Sequence, residues 1–217
     1  MLRLSRGGAW EKAIGGFSRP GKMPGISWGI SASRCHVGTI LHDRDKANAV
    51  KKTVCGDCYA RKGTYGFSNV QARLEKRYEA LFGADFVPGF VAGVRQNTVA
   101  GDLVRLHDSG DFQSMNHLLN VIRICSTVRD VLFWAPTREA SLLAQLTPED
   151  VPENLVLRLS GNLIDGKPPK GWPYTSTVVT DYDAATCPSS KEGGSCTDAG
   201  CSACWDLDVK NVKYLKH

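Results

Sequence analysis

Four short apolar runs, each closing on a small polar cluster, constrain this chain more than any other feature. They are Leu103-Val104-Arg105-Leu106-His107, Val131-Leu132-Phe133-Trp134-Ala135, Leu155-Val156-Leu157-Arg158-Leu159 and Ser176-Thr177-Val178-Val179-Thr180. Runs of this length, rich in branched and aromatic side chains and separated by helical or loop segments, read as buried strands of β/α units that build a parallel sheet. Between the first two, Ser114 to Val128 places Met115, Leu118, Leu119, Ile122 and Cys125 on one helical face and reads as a crossover helix. The next crossover, Glu139 to Leu146, is shorter, and Gly161 to Pro173 is a proline-rich loop without a helix. An alternation of apolar and small residues over Gly25 to Ser31 adds a first strand, and the tail from Lys210 to His217 reads as a strand closing the sheet edge. Strands this few do not close an eight-stranded barrel. The expected fold is therefore α/β, a partial (β/α) barrel or open parallel sheet.

The remaining segments fit around that sheet. Glycines at 7, 8, 15, 16, 21 and 25, with Pro20 and Pro24, make residues 1–25 an N-terminal extended arm laid over the core. Residues 26–217 form a single α/β domain, a size that one hydrophobic core can serve. His36 to Thr53 offers no apolar face and reads as a surface loop, whereas Asn69 to Phe82 has helical spacing. Ala84 to Gln96 reads as a second helix interrupted by Pro88-Gly89.

Eight cysteines are the chemical signature of the chain. The amino terminus lacks a continuous apolar stretch and no window reaches bilayer length, so the expectation is a cytoplasmic protein without a membrane partner. In a reducing compartment, paired C-x2-C spacings read as metal ligands or redox groups before they read as disulfides. Cys55 and Cys58 flank Gly56, which permits the tight turn that directs two thiolates at one centre, and Cys201 and Cys204 repeat the spacing. The metal-ligand candidates form two sequence groups, Cys35, Cys55 and Cys58, and then Cys187, Cys196, Cys201 and Cys204. Zinc with four thiolates and an iron–sulfur cluster both suit such donors. Three thiolates would leave one iron of a four-iron cluster open, four would close a structural site, and a single site drawn from both groups is the alternative. Cys125, on the apolar helical face, reads as a buried thiol.

The polar clusters that end the runs are His107-Asp108-Ser109-Gly110-Asp111, Pro136-Thr137-Arg138, Ser160-Gly161-Asn162 and Thr180-Asp181. Ligand sites of parallel α/β sheets lie at the carboxyl ends of strands, so these clusters mark a candidate pocket for a small molecule. Ser109-Gly110-Asp111 reads either as a turn gripping a charged group or as an ordinary cap of the following helix. His107 is a rim base or a packing residue, and Arg138 a carboxylate or phosphate ligand or a surface ion pair. The net charge of +5 is spread along the chain and does not point to nucleic acid.

Taken in order, Lys22-Met23-Pro24-Gly25-Ile26-Ser27-Trp28-Gly29, Cys55-Gly56-Asp57-Cys58-Tyr59-Ala60, Phe67-Ser68-Asn69-Val70-Gln71, the 107–111 cluster, Pro136-Thr137-Arg138 and Cys201-x2-Cys204-Trp205 resemble the bacteriophage gene product 88 family. That resemblance implies a phage protein working in the host cytoplasm. A more distant resemblance is to radical S-adenosylmethionine proteins, whose partial barrel holds a four-iron cluster in a cysteine loop after the first strand. It implies Cys35, Cys55 and Cys58 as cluster ligands; the fold reading itself expects the cysteine-rich segments to fold over the carboxyl rim. The same resemblance also implies Gly110 and Asp111 in the turn that holds the amine of S-adenosylmethionine; if the protein is an enzyme, the strand-end clusters would add Ser109 at that cofactor, His107, Asp111 and Arg138 in catalysis, and Ser160 and Asn162 at cofactor or substrate. The expected cofactor is a 4Fe–4S cluster, with zinc in a binding or scaffold protein, or a closed cluster in an electron carrier, as alternatives.

Overall fold

The computed structural model describes residues 8–50, 52–191 and 193–216. Six strands, β1 Ile26–Trp28, β2 Leu103–Leu106, β3 Leu132–Thr137, β4 Leu155–Ile164, β5 Thr175–Val179 and β6 Asn211–Leu215, form one open sheet in sequential order. Every neighbouring pair is parallel. The helices are α1 Ala9–Ile14, α2 His36–Ala47, α3 Ser68–Ala80, α4 Phe86–Asn97, α5 Met115–Thr127 and the single turn α6 Ala140–Leu143. Among the described residues, no helix is long and apolar enough to cross a membrane.

Strand alternation assigns the two faces. Trp28, Val104, Leu106, Phe133, Ala135, Leu155 and Leu157 pack with Phe90 and Val94 of α4 and with Leu118, Val121, Ile124 and Cys125 of α5. Each of these large side chains contributes about 1.5–3 kcal/mol by leaving water. The residues between them point the other way. Trp134 and Val212 face Met23, Cys187, Cys196, Cys204 and Trp205 in a second, smaller cluster. The carboxyl-terminal cysteine segment therefore lies against the sheet face opposite the helices, not over the strand ends. Its first residues also shield the free edge of β6, where Thr186 and Cys187 donate their N–H groups to the Lys213 carbonyl at 2.9 and 3.0 Å.

Four segments differ from the sequence reading. β4 runs on through Ser160-Gly161-Asn162 to Ile164, where a polar strand end and a loop are expected, since Ile164 pairs with Val178 of β5 and its N–H reaches the Lys52 carbonyl at 3.1 Å. The described part of the amino-terminal arm includes α1, whose Trp10 and Ile14 enter the main core with Phe17; residues 1–7 lie outside the described residues. Arg77, fully buried, ties this arm down by donating to the Gly15 carbonyl at 3.4 Å and to Ser18 Oγ at 2.9 Å. Residues 36–47 form α2 rather than a loop, because the buried side of this helix is built from Gly38, Leu41 and a hydrogen-bonded Asp45 instead of an apolar stripe. The Asp45 carboxylate accepts from Thr53 N at 2.7 Å and Thr53 Oγ1 at 2.8 Å. Finally, α4 runs through Pro88-Gly89 unbroken, since Pro88 falls in its first turn, where no intrahelical N–H is needed.

His117 of α5 and His107 after β2 sit in a box of aromatic rings with Trp28 and Phe112. Burial pushes His117 down to about 3 and His107 well below the ordinary histidine value, so both are neutral in the fold. A depressed histidine contributes stability that is present above its unfolded value near 6.5 and is lost as pH falls toward its folded value. Each should cost on the order of 1 kcal/mol per pH unit below 6.5. Urea midpoints measured between pH 7.5 and 5 should fall for the wild-type protein, and His117→Phe should flatten that slope by roughly half.

Candidate functional site

Cys35, Cys55 and Cys58 reach one region by three local devices. A 3₁₀ turn over Ala32–Arg34, capped by Ser31, delivers Cys35 to the N-cap position of α2. After α2 the chain returns alongside β4, with an antiparallel bridge between Thr53 and Leu163 and a hydrogen bond from Val54 N to the Asn162 carbonyl at 3.0 Å. A second 3₁₀ turn, Cys55–Asp57, then presents Cys55 and Cys58. The Cys55 and Cys35 sulfurs flank the same point on α2: a Cβ built on Gly38 would stand 3.5 Å from Cys55 Sγ and 3.6 Å from Cys35 Sγ.

Electrostatics show the same gathering. Burial first, then the neighbouring charges of Asp111, Cys55 and Cys58, push the Cys35 thiol up. Burial also pushes Cys55 up, and the Arg138 guanidinium opposes it. Arg61 acts in the same direction as Arg138 on both thiols and donates to the Ala32 carbonyl and to Thr39 Oγ1 at 3.0 and 2.7 Å. Beside Cys58 opens a cleft of about 390 Å³ lined by Ser31, Ser33, His42, Arg61, Lys62 and Gln71.

The strand-end residues divide between this region and the core. Asp111 Oδ1 accepts from Phe112 N at 2.8 Å and Thr137 Oγ1 at 2.6 Å, and Oδ2 from Arg138 N at 2.8 Å. Burial nevertheless raises its carboxyl to about 6. Arg138 is brought toward the cysteines with its Nε buried and unpartnered among the described residues. Gly110 has φ +84°, and a Cβ there would stand 2.8 Å from the Ile30 carbonyl oxygen, so only glycine fits. Ser109 is buried and its carbonyl accepts from Ile30 N at 2.9 Å. His107 does not join the thiols; it turns into the aromatic box with φ +61°. Ser160 pairs its hydroxyl with that of Ser176 at 3.0 Å, and Asn162 contributes its carbonyl to the cysteine loop while its side chain is exposed.

The second cysteine group lies apart from the first. Cys187, Cys196 and Cys204 are buried together against Trp134, Trp205 and Val212, with Cys201 packed beside them. A polar layer stands between the groups. Tyr59, next to Cys58, donates to the Asp108 carbonyl at 2.6 Å; Arg105 donates to Tyr59 Oη at 3.1 Å and stacks over Trp134; Tyr214 Oη lies 3.3 Å from Cys204 Sγ. Among the described residues, no three His, Cys, Asp or Glu side chains already stand in a ligand arrangement for a metal ion. Both groups are therefore gathered thiols rather than finished coordination spheres.

Several residues that organise this region were not singled out by the sequence. Arg158 of β4 is fully buried, and its Nε donates to the Cys204 carbonyl at 3.0 Å. Its Nη atoms donate to the carbonyls of Val209, Ala203 and Asp206 at 2.8 Å each and of Thr175 at 3.4 Å. Glu139 accepts from Val37 N, at the start of α2, at 3.1 Å. The available signal was a guanidinium inside an apolar strand run, at Arg105 and again at Arg158, where a charge persists only with partners.

Comparison with curated proteins and with solved structures gives no match. The family model described as Gene product 88 matches residues 30–207, a span that holds both cysteine groups and every strand-end cluster. The chain belongs to the Gene product 88 family.

Proposed function

We propose that this protein binds an iron–sulfur cluster through Cys35, Cys55 and Cys58 and offers the cleft beside Cys58 to a small-molecule ligand. The observation that carries the reading is the convergence of these three thiols, from two separate turns, next to Arg138 and Arg61. The donor chemistry fits: soft thiolates suit iron–sulfur clusters, and the two guanidiniums offset the negative charge that thiolate ligation brings. A cluster held by three protein thiolates supplies an iron that can take a further ligand. The chain's own residues then have defined work. Arg138 favours the thiolate of Cys55, while Arg61 ties the Cys58 turn to α2. The hydroxyls of Ser31 and Ser33 with Lys62 line a cleft suited to an anionic group. S-adenosylmethionine is left out of this reading; the bonds Asp111 accepts from Phe112 N, Thr137 Oγ1 and Arg138 N give it a role in holding its own loop.

Burial favours the protonated thiols of Cys35 and Cys55, so cluster uptake should release protons and weaken as pH falls. Protein purified without oxygen should be brown, with iron and acid-labile sulfide in equal amounts. Cys35→Ser, Cys55→Ser and Cys58→Ser should each lower bound iron at least about tenfold, by analogy with loss of a metal ligand or its support. Colourless protein, free of iron and sulfide after anaerobic reconstitution, would discard the proposal. Zinc in the same three cysteines would replace it with a structural metal.

A further inference from the structure

We propose that Cys187, Cys196, Cys201 and Cys204 hold a zinc ion of their own, separate from the first cysteine group, which fastens the segment between β5 and β6 to the sheet. The segment itself shows the need. Among the described residues between β5 and β6, regular structure amounts to the 3₁₀ turns Pro188–Ser190 and Ala203–Trp205. Yet Cys187, Cys196 and Cys204 are all buried on the sheet face opposite the helices, with Cys201 packed against them. A segment so poor in apolar anchors is the kind that metal binding holds in place.

The backbone already brings the four residues together. Cys187 N donates to the Lys213 carbonyl at 3.0 Å, Cys196 N to the Lys22 carbonyl at 2.8 Å and Cys201 N to the Cys196 carbonyl at 2.9 Å. The Cys204 carbonyl is held by Arg158. Cys187, Cys196 and Cys204 share one buried cluster, and Cys204 Sγ lies 3.3 Å from Tyr214 Oη. Among the described residues these thiols do not already stand as a ligand set, so binding requires them to close on the ion.

Charge supplies an independent observation. Four thiolates around a divalent ion carry a net charge of about −2, which a buried site must balance. Two guanidiniums border the cluster: Arg158 Nε donates to the Cys204 carbonyl at 3.0 Å, and Arg105 stacks over Trp134, which packs in the same cluster. A donor set of four thiolates, three of them buried, is the structural zinc pattern. On binding, Zn²⁺ takes the place of the thiol protons, which pass to solvent, and no electron is transferred.

The test uses the full-length protein purified from zinc-supplemented culture. Zinc content should be about one per chain. Cys187→Ser and Cys204→Ser should lose it, while Cys58→Ser should lose iron and keep zinc, so failure of this site and failure of the iron–sulfur reading give different results. A variant that does not fold is bypassed with the wild-type protein. After chelation and Co²⁺ addition it should show the visible bands of a tetrahedral thiolate site. The four carboxyl-terminal cysteines should resist alkylation until the metal is removed. Absence of zinc, a Cys187–Cys196 disulfide in peptide mass spectra, or zinc that disappears with Cys58→Ser would each overturn the proposal.

Discussion

Replacing Arg158 with methionine is expected to destabilise the fold by roughly 4 kcal/mol, seen as a large drop in the urea midpoint. The side chain is fully buried in β4, and its guanidinium fans out to the carbonyls of Cys204, Ala203, Asp206, Val209 and Thr175. Methionine fills similar space but leaves these acceptors without their donor, at about 1–3 kcal/mol for each that water does not reach. Lysine should rescue little, since one ammonium cannot span a planar fan of acceptors. The loss should also free the cysteine segment, so susceptibility to limited proteolysis between β5 and β6 should rise before global unfolding. A cost below about 1 kcal/mol would show that this carbonyl cage is not what holds the segment.

The second large effect is expected at Asp111. Asp111→Ala should cost about 3 kcal/mol, because it removes the acceptor of Phe112 N, Thr137 Oγ1 and Arg138 N together. The damage should travel. Thr137 Oγ1 in turn accepts from Glu139 N at 3.0 Å, and Glu139 accepts from Val37 N beside Cys35. Iron retention should therefore fall in Asp111→Ala even though Asp111 is not proposed as a ligand. Asp111→Asn should cost less than half as much, since it keeps one oxygen acceptor and avoids burying a charge. The sign of the pH effect follows from the raised carboxyl. Its contribution is fully present below the unfolded value near 3.8 and is lost as pH rises through about 6, opposite to the histidines. Equal losses for alanine and asparagine, with iron unaffected, would reduce Asp111 to a local packing role.

Much of the sheet was legible because its strands are buried on both faces and so read as nearly continuous apolar runs. Leu103–Leu106, Leu132–Thr137, Thr175–Val179 and the tail strand Asn211–Leu215 lie where the pattern puts them, although His217 is outside the described residues, and β4 starts where expected at Leu155 but runs past its polar cluster to Ile164. The crossover helix α5 was equally plain. Helix α2 was not, because periodicity counts apolar side chains, and this helix buries a glycine and a carboxylate satisfied by Thr53, a residue beyond its own end. The cysteine spacings announced soft-metal chemistry but could not say how the thiols divide. That division depends on which sheet face the carboxyl-terminal segment takes, and so on partners far away in sequence: Trp205 Nε1 donates to the Val104 carbonyl at 2.9 Å, and Cys196 N to that of Lys22. Arg158 looked like an interruption in a strand, and it is where the segment is moored.

Sequential strand order gives the sheet a direction in time. Each strand pairs with the one synthesised just before it, so β1 to β5 can dock in the order in which they leave the ribosome. Arg158 is made early and stays without most of its acceptors until Ala203, Cys204, Asp206 and Val209 emerge. A chain cut short before those residues would carry an uncompensated guanidinium in its interior and an uncovered sheet face. Closing the sheet with β6 and satisfying the charge inside β4 are therefore one event, completed by the same stretch of chain.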